Sequence, residues 1–125
     1  MMGKEIKPSE QLATFLDFID QCMNRYDTAR SNMDREDKRL QDLLHEIELA
    51  PDRKAQDRAS TKLRRSRKIR RENKDMVKLY EQIVQFFGEQ SNRKVLDKMR
   101  QLLGRQRKEE EYLYSERTYK PRVER

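Results

Sequence analysis

The 125 residues suit one domain, but only 34% are hydrophobic and 42% are charged, so the chain cannot bury a large globular core. Three Gly, three Pro and apolar residues at helical spacing favour long α-helices over β-sheet or disorder. The single cysteine, Cys22, excludes an internal disulfide framework, and no apolar run approaches the ~20 residues of a membrane span. We therefore expect a cytoplasmic protein with no membrane partner.

The net charge of +7 is divided unevenly along the chain. Residues 1–50 carry 7 basic and 11 acidic groups, a net charge of −4, whereas residues 51–125 carry 23 and 12, a net charge of +11. Opposite charges on the two halves can pair within the molecule, and the excess of cations is then available to a polyanion.

The first predicted helix follows a flexible N-terminus over 1–8 and opens a single helical domain over 9–117. Ser9 is the predicted N-cap, and the helix covers about 10–49. Apolar residues recur every seven positions in it, which predicts a coiled coil. They are Leu12, Ile19, Tyr26, Met33, Leu40 and Ile47.

Pro51 ends this helix, and Asp52 is the predicted cap of a second helix over about 53–87. A turn this short makes the two helices antiparallel neighbours. Residues whose numbers add up to about 102 then face each other. Phe15 meets Phe87 at the open end, Glu36 meets Ser66 in a thin middle, and Asp34 and Asp37 lie near Arg65 and Lys68.

The open end of this hairpin is too apolar for two helices, because seven further residues need cover: Leu16, Phe18, Met23, Val77, Leu79, Val84 and Phe86. Gly88 is the predicted C′ glycine of the second helix and Ser91 the N-cap of a third, over about 92–116. The predicted fold is all-α: a long antiparallel coiled-coil hairpin with a third helix packed at its open end, a three-helix bundle. Residues 118–125 are predicted to be an extended basic tail.

The sequence gives no support for catalysis, so we expect a protein that is not an enzyme and takes no cofactor or metal. His45 is the single histidine and lies three residues before Glu48, but no further ligands follow at metal-binding spacing. Cys22 lies on the heptad seam, where it is expected to be a small core residue.

A basic run in the second helix is the main clue to function. Residues 58–74 hold nine Lys or Arg and one acid, Glu72. At 100° per residue, five basic residues fall opposite the apolar seam and form a straight stripe about 20 Å long. They are Arg64, Arg67, Arg71, Lys74 and Lys78. Tyr119 and Arg122 of the tail are candidates for stacking and additional contacts.

The stripe predicts binding to nucleic acid, to a nucleoprotein complex or to an acidic protein surface. The alternative is a structural or oligomerising coiled-coil module whose charges only confer solubility. That alternative predicts self-association through apolar residues such as Leu96, Leu103 and Leu113, and a homodimer is left open. Steep salt dependence distinguishes the first interpretation from the second.

A small, highly charged helical hairpin with a basic helix and the tail TYKPRV (Thr118 to Val123) resembles small proteins of bacterial phages and mobile elements. Anti-CRISPR proteins and related anti-defence inhibitors belong to this group, and some occupy the nucleic-acid channels of their targets. The resemblance implies an inhibitor or adaptor that acts on a nucleoprotein. It concerns size, charge and architecture, so it assigns no site residues.

Overall fold

The computed structural model describes residues 6–116, and it confirms the all-α prediction. Three helices follow in order: α1 from Pro8 to Glu48, α2 from Arg53 to Gly88 and α3 from Gln90 to Tyr114. No strand occurs within 6–116. None of these helices combines the length and apolarity needed to cross a membrane.

Helix α1 spans 41 residues, or about 60 Å. It begins earlier than predicted because Pro8 takes the first helical position, where a missing N–H is harmless. Lys7 is therefore the N-cap residue and its side chain makes no capping hydrogen bond. The prediction of Ser9 as N-cap is wrong, and Ser9 is instead a buried residue of the first turn.

Asp52 caps α2 as predicted. Its Oδ1 accepts a hydrogen bond from the backbone N–H of Ala55 at 2.8 Å. Helices α1 and α2 pack tightly against each other as an antiparallel hairpin. The contacts of Phe15 with Phe87 and of Glu36 with Ser66 have the predicted register. The rings of Phe15 and Phe87 meet edge to face at 6.3 Å near the open end.

The middle of the hairpin is polar, as predicted. The Ser66 hydroxyl donates a hydrogen bond of 2.5 Å to the Glu36 carboxylate, and both residues are buried. Arg39 pairs with the other carboxylate oxygen of Glu36 at 3.0 Å. On the same two helices, nearer the open end, the side-chain amide of Asn32 donates a hydrogen bond to the amide oxygen of Asn73 at 3.1 Å. Because polar pairs replace apolar ones here, the seam contributes little hydrophobic stabilisation at this level, whereas Leu43 and Ala59 are buried nearer the turn.

The hydrophobic core lies at the open end and joins all three helices. Leu16 and Ile19 of α1 pack with Leu96 of α3, and each is at most 4% exposed. The residues around this centre come from all three helices: Leu12, Met23, Ile83, Phe87, Met99 and Leu103. Helix α3 therefore packs within the same chain, as a bundle requires.

Helix α3 runs antiparallel to α1, because Arg100 contacts Asp20 while Glu110, further along, contacts Ser9. A single extended residue, Glu89, separates it from α2. Gly88 is the last residue of α2, and no described glycine has a positive φ, so the predicted C′ role of Gly88 is wrong.

The prediction of Ser91 as N-cap is also wrong, because Ser91 lies inside α3. The end of α2 is capped from the following helix: the Asn92 amide donates to the backbone oxygen of Phe86 at 2.7 Å. The same carbonyl accepts a longer bond of 3.4 Å from the backbone N–H of Glu89, so the last turn of α2 is bound to the start of α3 on both sides of Glu89.

The third helix does not cover the whole apolar surface, contrary to the prediction. Leu16 is buried beneath it, but Phe18, Leu79 and Phe86 are 47%, 66% and 54% exposed. Helix α3 contacts α1 and α2 less extensively than these contact each other. A single helix packed on one side of the hairpin leaves the opposite side open.

Candidate nucleic-acid interface

The predicted basic stripe lies on the outer side of α2. Helix α2 buries Ala59 and Ser66 against α1, and these residues fix which side faces inward. All five residues of the stripe are exposed: Arg64, Arg67, Arg71, Lys74 and Lys78. The spacing of three and four residues keeps them on one side of the helix, away from α1.

Two ion pairs join α2 to α1 beside this stripe. Lys62 Nζ lies 3.1 Å from Glu46 Oε1, and Arg70 Nε lies 2.6 Å from Asp37 Oδ1. The acids of α1 thus neutralise cations on the flanks of α2. Within residues 6–116, no ion pair involves any of the five stripe residues.

The pairing of Asp37 differs from the prediction. Asp37 contacts Arg70 rather than Arg65 or Lys68. Arg70 follows the partly buried Ile69 and lies on the flank of α2 that faces Asp37, whereas Arg65 and Lys68 are exposed. The predicted pairing used only the distance along the helices and ignored which flank each cation occupies.

Arg67, Arg70 and Arg71 line a shallow cleft on the surface of α2. Arg70 was not among the predicted site residues, although its spacing of three from Arg67 placed both within one turn. Its ion pair with Asp37 uses Nε, so the two terminal nitrogens have no hydrogen-bond partner within the described residues. Three guanidinium groups around one cleft suit a phosphate oxygen, since arginine binds phosphate through several parallel donors.

The other predicted site residues, Tyr119 and Arg122, lie outside the described residues, as does the predicted tail over 118–125. The five exposed cations and Arg70 therefore define the candidate interface. The exposed acid Asp75 lies at the edge of this row of cations. A row of lysine and arginine side chains along one helix can contact phosphates without reading the base sequence.

His45 and Cys22 form no additional site. The Nδ1 atom of His45 lies 3.9 Å from a carboxylate oxygen of Glu48, and both side chains are exposed. Cys22 is buried on the seam, as predicted. Across residues 6–116, no group of three or more His, Cys, Asp or Glu side chains is placed to hold a metal ion.

Comparison of the chain with protein-family models, with curated proteins and with solved structures found no match.

Proposed function

We propose that this protein binds nucleic acid, free or within a nucleoprotein complex, through the phosphate backbone, using the basic stripe of α2 and Arg70. The role is one of binding and not of catalysis. An inhibitor or adaptor acting on a cytoplasmic nucleoprotein is the form of this role that the resemblance to phage and mobile-element proteins favours.

One observation carries the proposal: the acids of α1 pair with the flanks of α2 and leave the outer stripe exposed. Asp37 and Glu46 are each bound to a flanking cation, at 2.6 and 3.1 Å. The outer cations make no ion pair with α1, so they do not stabilise the hairpin and are available to another molecule. Phosphates, spaced along a polyanion, can occupy all five positions at once.

The stripe contacts phosphates without reading the sequence. Its five cations extend along one straight helix for about 20 Å, and none is held by a neighbouring side chain in the geometry that base recognition requires. We therefore expect similar affinity for nucleic acids of different sequence. Each phosphate that a cation neutralises on a duplex contributes about −0.9 to the slope of log K against log salt concentration, so the slope is expected to be about −4 to −5.

The test is fluorescence anisotropy of labelled RNA and DNA duplexes across a salt series. The test variant is Arg64→Glu/Arg67→Glu/Arg71→Glu, which reverses three stripe charges. The matched control is Lys94→Glu/Lys98→Glu/Arg105→Glu, which changes the net charge by the same amount at exposed positions of α3. Circular dichroism verifies that both variants remain helical.

We expect the stripe variant to lose binding and the control to retain most of it, with a slope still near −4. Equal losses in both variants would show that net charge alone attracts the nucleic acid. Absence of binding by the wild type at low salt rejects the proposal, and the remaining interpretations are then an acidic protein partner and charges that only confer solubility.

The alternative function, a self-associating module, requires different contact residues from those predicted. Leu96 is 4% exposed and packs in the core of its own chain, and Leu103 packs against that core. These leucines are therefore occupied within one molecule. A structural role, if present, uses the apolar residues on the open side of the hairpin.

A further inference from the structure

An exposed apolar surface lies at the open end of the hairpin and has no part in the basic stripe. It consists of Phe15, Phe18, Leu79 and Phe86, which we call the phenylalanine face. Their exposed fractions are 39%, 47%, 66% and 54%. Phe15 and Phe18 lie three residues apart on α1, and Leu79 and Phe86 lie seven apart on α2, so each pair shares one side of its helix.

This face lies on the side of the hairpin opposite α3. Phe18 lies seven residues before Arg25 on one side of α1, and Arg25 donates a hydrogen bond of 2.9 Å to the Tyr80 hydroxyl of α2, so this side of α1 borders α2 and not α3. Asp20, which contacts Arg100 of α3, lies 200° around α1 from Phe18. The third helix therefore cannot cover the phenylalanine face.

No charged side chain lies between these four residues on either helix side, although 42% of the chain is charged. On the same helix sides lie four exposed polar residues: Gln11, Thr14, Gln21 and Gln82. Charged residues border the face instead: Arg25 and Asp75 toward the middle of the hairpin, Glu89 at the end of α2, and Asp17 and Lys78 one turn from the rim residues Gln21 and Gln82. An uncharged apolar surface with a polar rim is typical of a protein interface.

The rings of this face are held in place by their neighbours. Phe87 packs edge to face with Phe86 at 5.0 Å and with Phe15 at 6.3 Å. Two rings of the face thus contact the same partly buried ring. Because their conformations are already restricted, a partner loses little side-chain entropy on binding them.

We propose that the phenylalanine face binds a second copy of this chain and forms a symmetric homodimer. Chains of net charge +7 repel one another, so they can associate only through surfaces that are neutral or complementary in charge. A twofold axis makes the two surfaces of such a contact identical. The uncharged phenylalanine face meets this condition, and the cationic outer side of α2 does not.

Charge complementarity at the inner end of the face fixes the orientation of the second copy. Arg25 and Asp75 lie at the same level of the hairpin, on α1 and α2 respectively, because their numbers add up to about 100, near the observed register. A twofold axis parallel to the hairpin places α1 of one copy over α2 of the other. Arg25 then faces Asp75 of the second copy, and Phe18 faces Leu79 and Phe86.

The available area suits a weak dimer. A whole aromatic side chain covers about 150–250 Å², so the four exposed fractions add up to about 400 Å² of apolar surface per chain. With the polar rim, two such faces bury about 1,200 Å² in total, which is the lower limit for specific interfaces. We therefore expect a dissociation constant in the micromolar range, about 1–100 µM.

Residues 117–125 are a poor occupant of this face. The segment RTYKPRVER contains four cations and only two apolar side chains beside its proline, Tyr119 and Val123. Burial against an uncharged apolar surface would remove those cations from water without a partner. A second copy supplies four apolar side chains and no excess charge.

The dimer does not depend on the proposed nucleic-acid binding. Leu79 lies about 100° around α2 from its neighbour Lys78 of the stripe, so the two surfaces point in different directions. The stripe remains exposed on both copies. If both proposals hold, two stripes contact one nucleic acid, and avidity raises the apparent affinity.

The test is sedimentation velocity of the full chain from 1 to 300 µM, at low salt and in 0.5 M NaCl. The disrupting variant is Leu79→Glu/Phe86→Glu, which places charges in the face at exposed positions. The matched control is Leu44→Glu/Leu49→Glu, which replaces two exposed leucines near the hairpin turn whose summed exposure is close to that of Leu79 and Phe86. Circular dichroism verifies the helicity of each variant.

A charge exchange tests the orientation without changing the apolar residues. Arg25→Glu and Asp75→Lys each place like charges across the twofold axis, so each is expected to weaken the dimer 3–10-fold. The double variant restores opposite charges and is expected to recover most of the affinity.

A wild type that dimerises, a disrupting variant at least 30-fold weaker and a control close to wild type support the proposal. A wild type that stays monomeric at 300 µM overturns it, and so does a dimer that the Leu79→Glu/Phe86→Glu variant leaves intact. Failure of the charge exchange to restore the dimer overturns the stated orientation. A monomer that still binds duplexes rejects the dimer alone, whereas a dimer without such binding rejects the proposed function alone.

Discussion

Glu110 caps the first turn of a helix that begins about one hundred residues earlier. Its carboxylate accepts hydrogen bonds from the backbone N–H of Ser9 at 2.9 Å and from the Ser9 hydroxyl at 2.5 Å. Gln106 donates a third bond, at 3.0 Å. The N-cap residue of α1, Lys7, supplies no side-chain bond, so α3 provides the cap that the first helix lacks.

Replacement of Glu110 by Ala should therefore release both the start of α1 and the end of α3. We expect Tm to fall by a few degrees. Amide exchange should increase at residues 9–12 and 106–114 before it increases elsewhere. Glu111→Ala, an exposed neighbour, is the control; a Tm equal to that of wild type in Glu110→Ala would show that the cap contributes nothing.

The same contact should make stability depend on pH. Burial raises the pKa of Glu110, but the hydrogen bonds from Ser9 and Gln106 and the charge of Lys7 outweigh it, so the pKa lies below the ordinary value of 4.5. A carboxyl group with a lowered pKa stabilises the fold above its unfolded-state pKa, and this contribution disappears as pH falls through the folded-state pKa.

The measurement for this effect is Tm from pH 7 to pH 3 for wild type and Glu110→Gln. The difference between them should be constant above about pH 5 and should shrink below pH 4.5. A difference that stays constant down to pH 3 would contradict the role of the ionised carboxylate.

The polar middle of the hairpin offers a third prediction. Ser66→Ala removes a donor to the buried Glu36 and should lower the free energy of unfolding by about 1–3 kcal/mol. Glu36→Leu/Ser66→Leu should instead raise Tm, because apolar residues then continue the heptad seam. Thermal and urea unfolding provide the measurement, with Ser60→Ala as the control; a double variant less stable than Ser66→Ala would show that the polar pair is required.

Leu96 is the main apolar contact of α3 with the hairpin. Leu96→Ala should lower the free energy of unfolding by about 2–4 kcal/mol, since it leaves a cavity beside Leu16 and Ile19. Leu102→Ala, at a position that is 43% exposed, should change it by less than about 1 kcal/mol. The measurement is urea unfolding at two protein concentrations. Because Leu96 packs within one chain, the loss of unfolding free energy in Leu96→Ala should be the same at both concentrations.

The hairpin could be predicted from the sequence because its signals are local and repeated. The seven-residue period fixes the inner side of α1, and Pro51 with Asp52 fixes the turn, so the contact of Phe15 with Phe87 follows from counting. The exposure of Arg64 and Lys78 follows from the same period. Predicting this contact and this exposure did not depend on where the third helix packs.

The position of α3 could not be predicted in the same way. Its direction depends on the one extended residue Glu89, and its contact with Ser9 joins residues with no common pattern in the sequence. Composition indicated that Phe18 and Phe86 needed cover, but not which side of the hairpin α3 would occupy. The side of the hairpin on which α3 packs, like its hydrogen bond to Ser9, depends on contacts between residues far apart in the sequence.

The bond between Ser9 and Glu110 also determines where the ends of the described chain lie. Residues 6 and 116 are both at the open end of a rod about 60 Å long, and the turn at Pro51 is at the other end. A short linker between these ends, with the chain opened at the turn, gives a circular permutant that keeps all three helices. Its order becomes α2, α3, α1, so the contact between Ser9 and Glu110 becomes local in sequence, whereas the packing of α1 against α2 becomes the contact that joins the two ends of the chain.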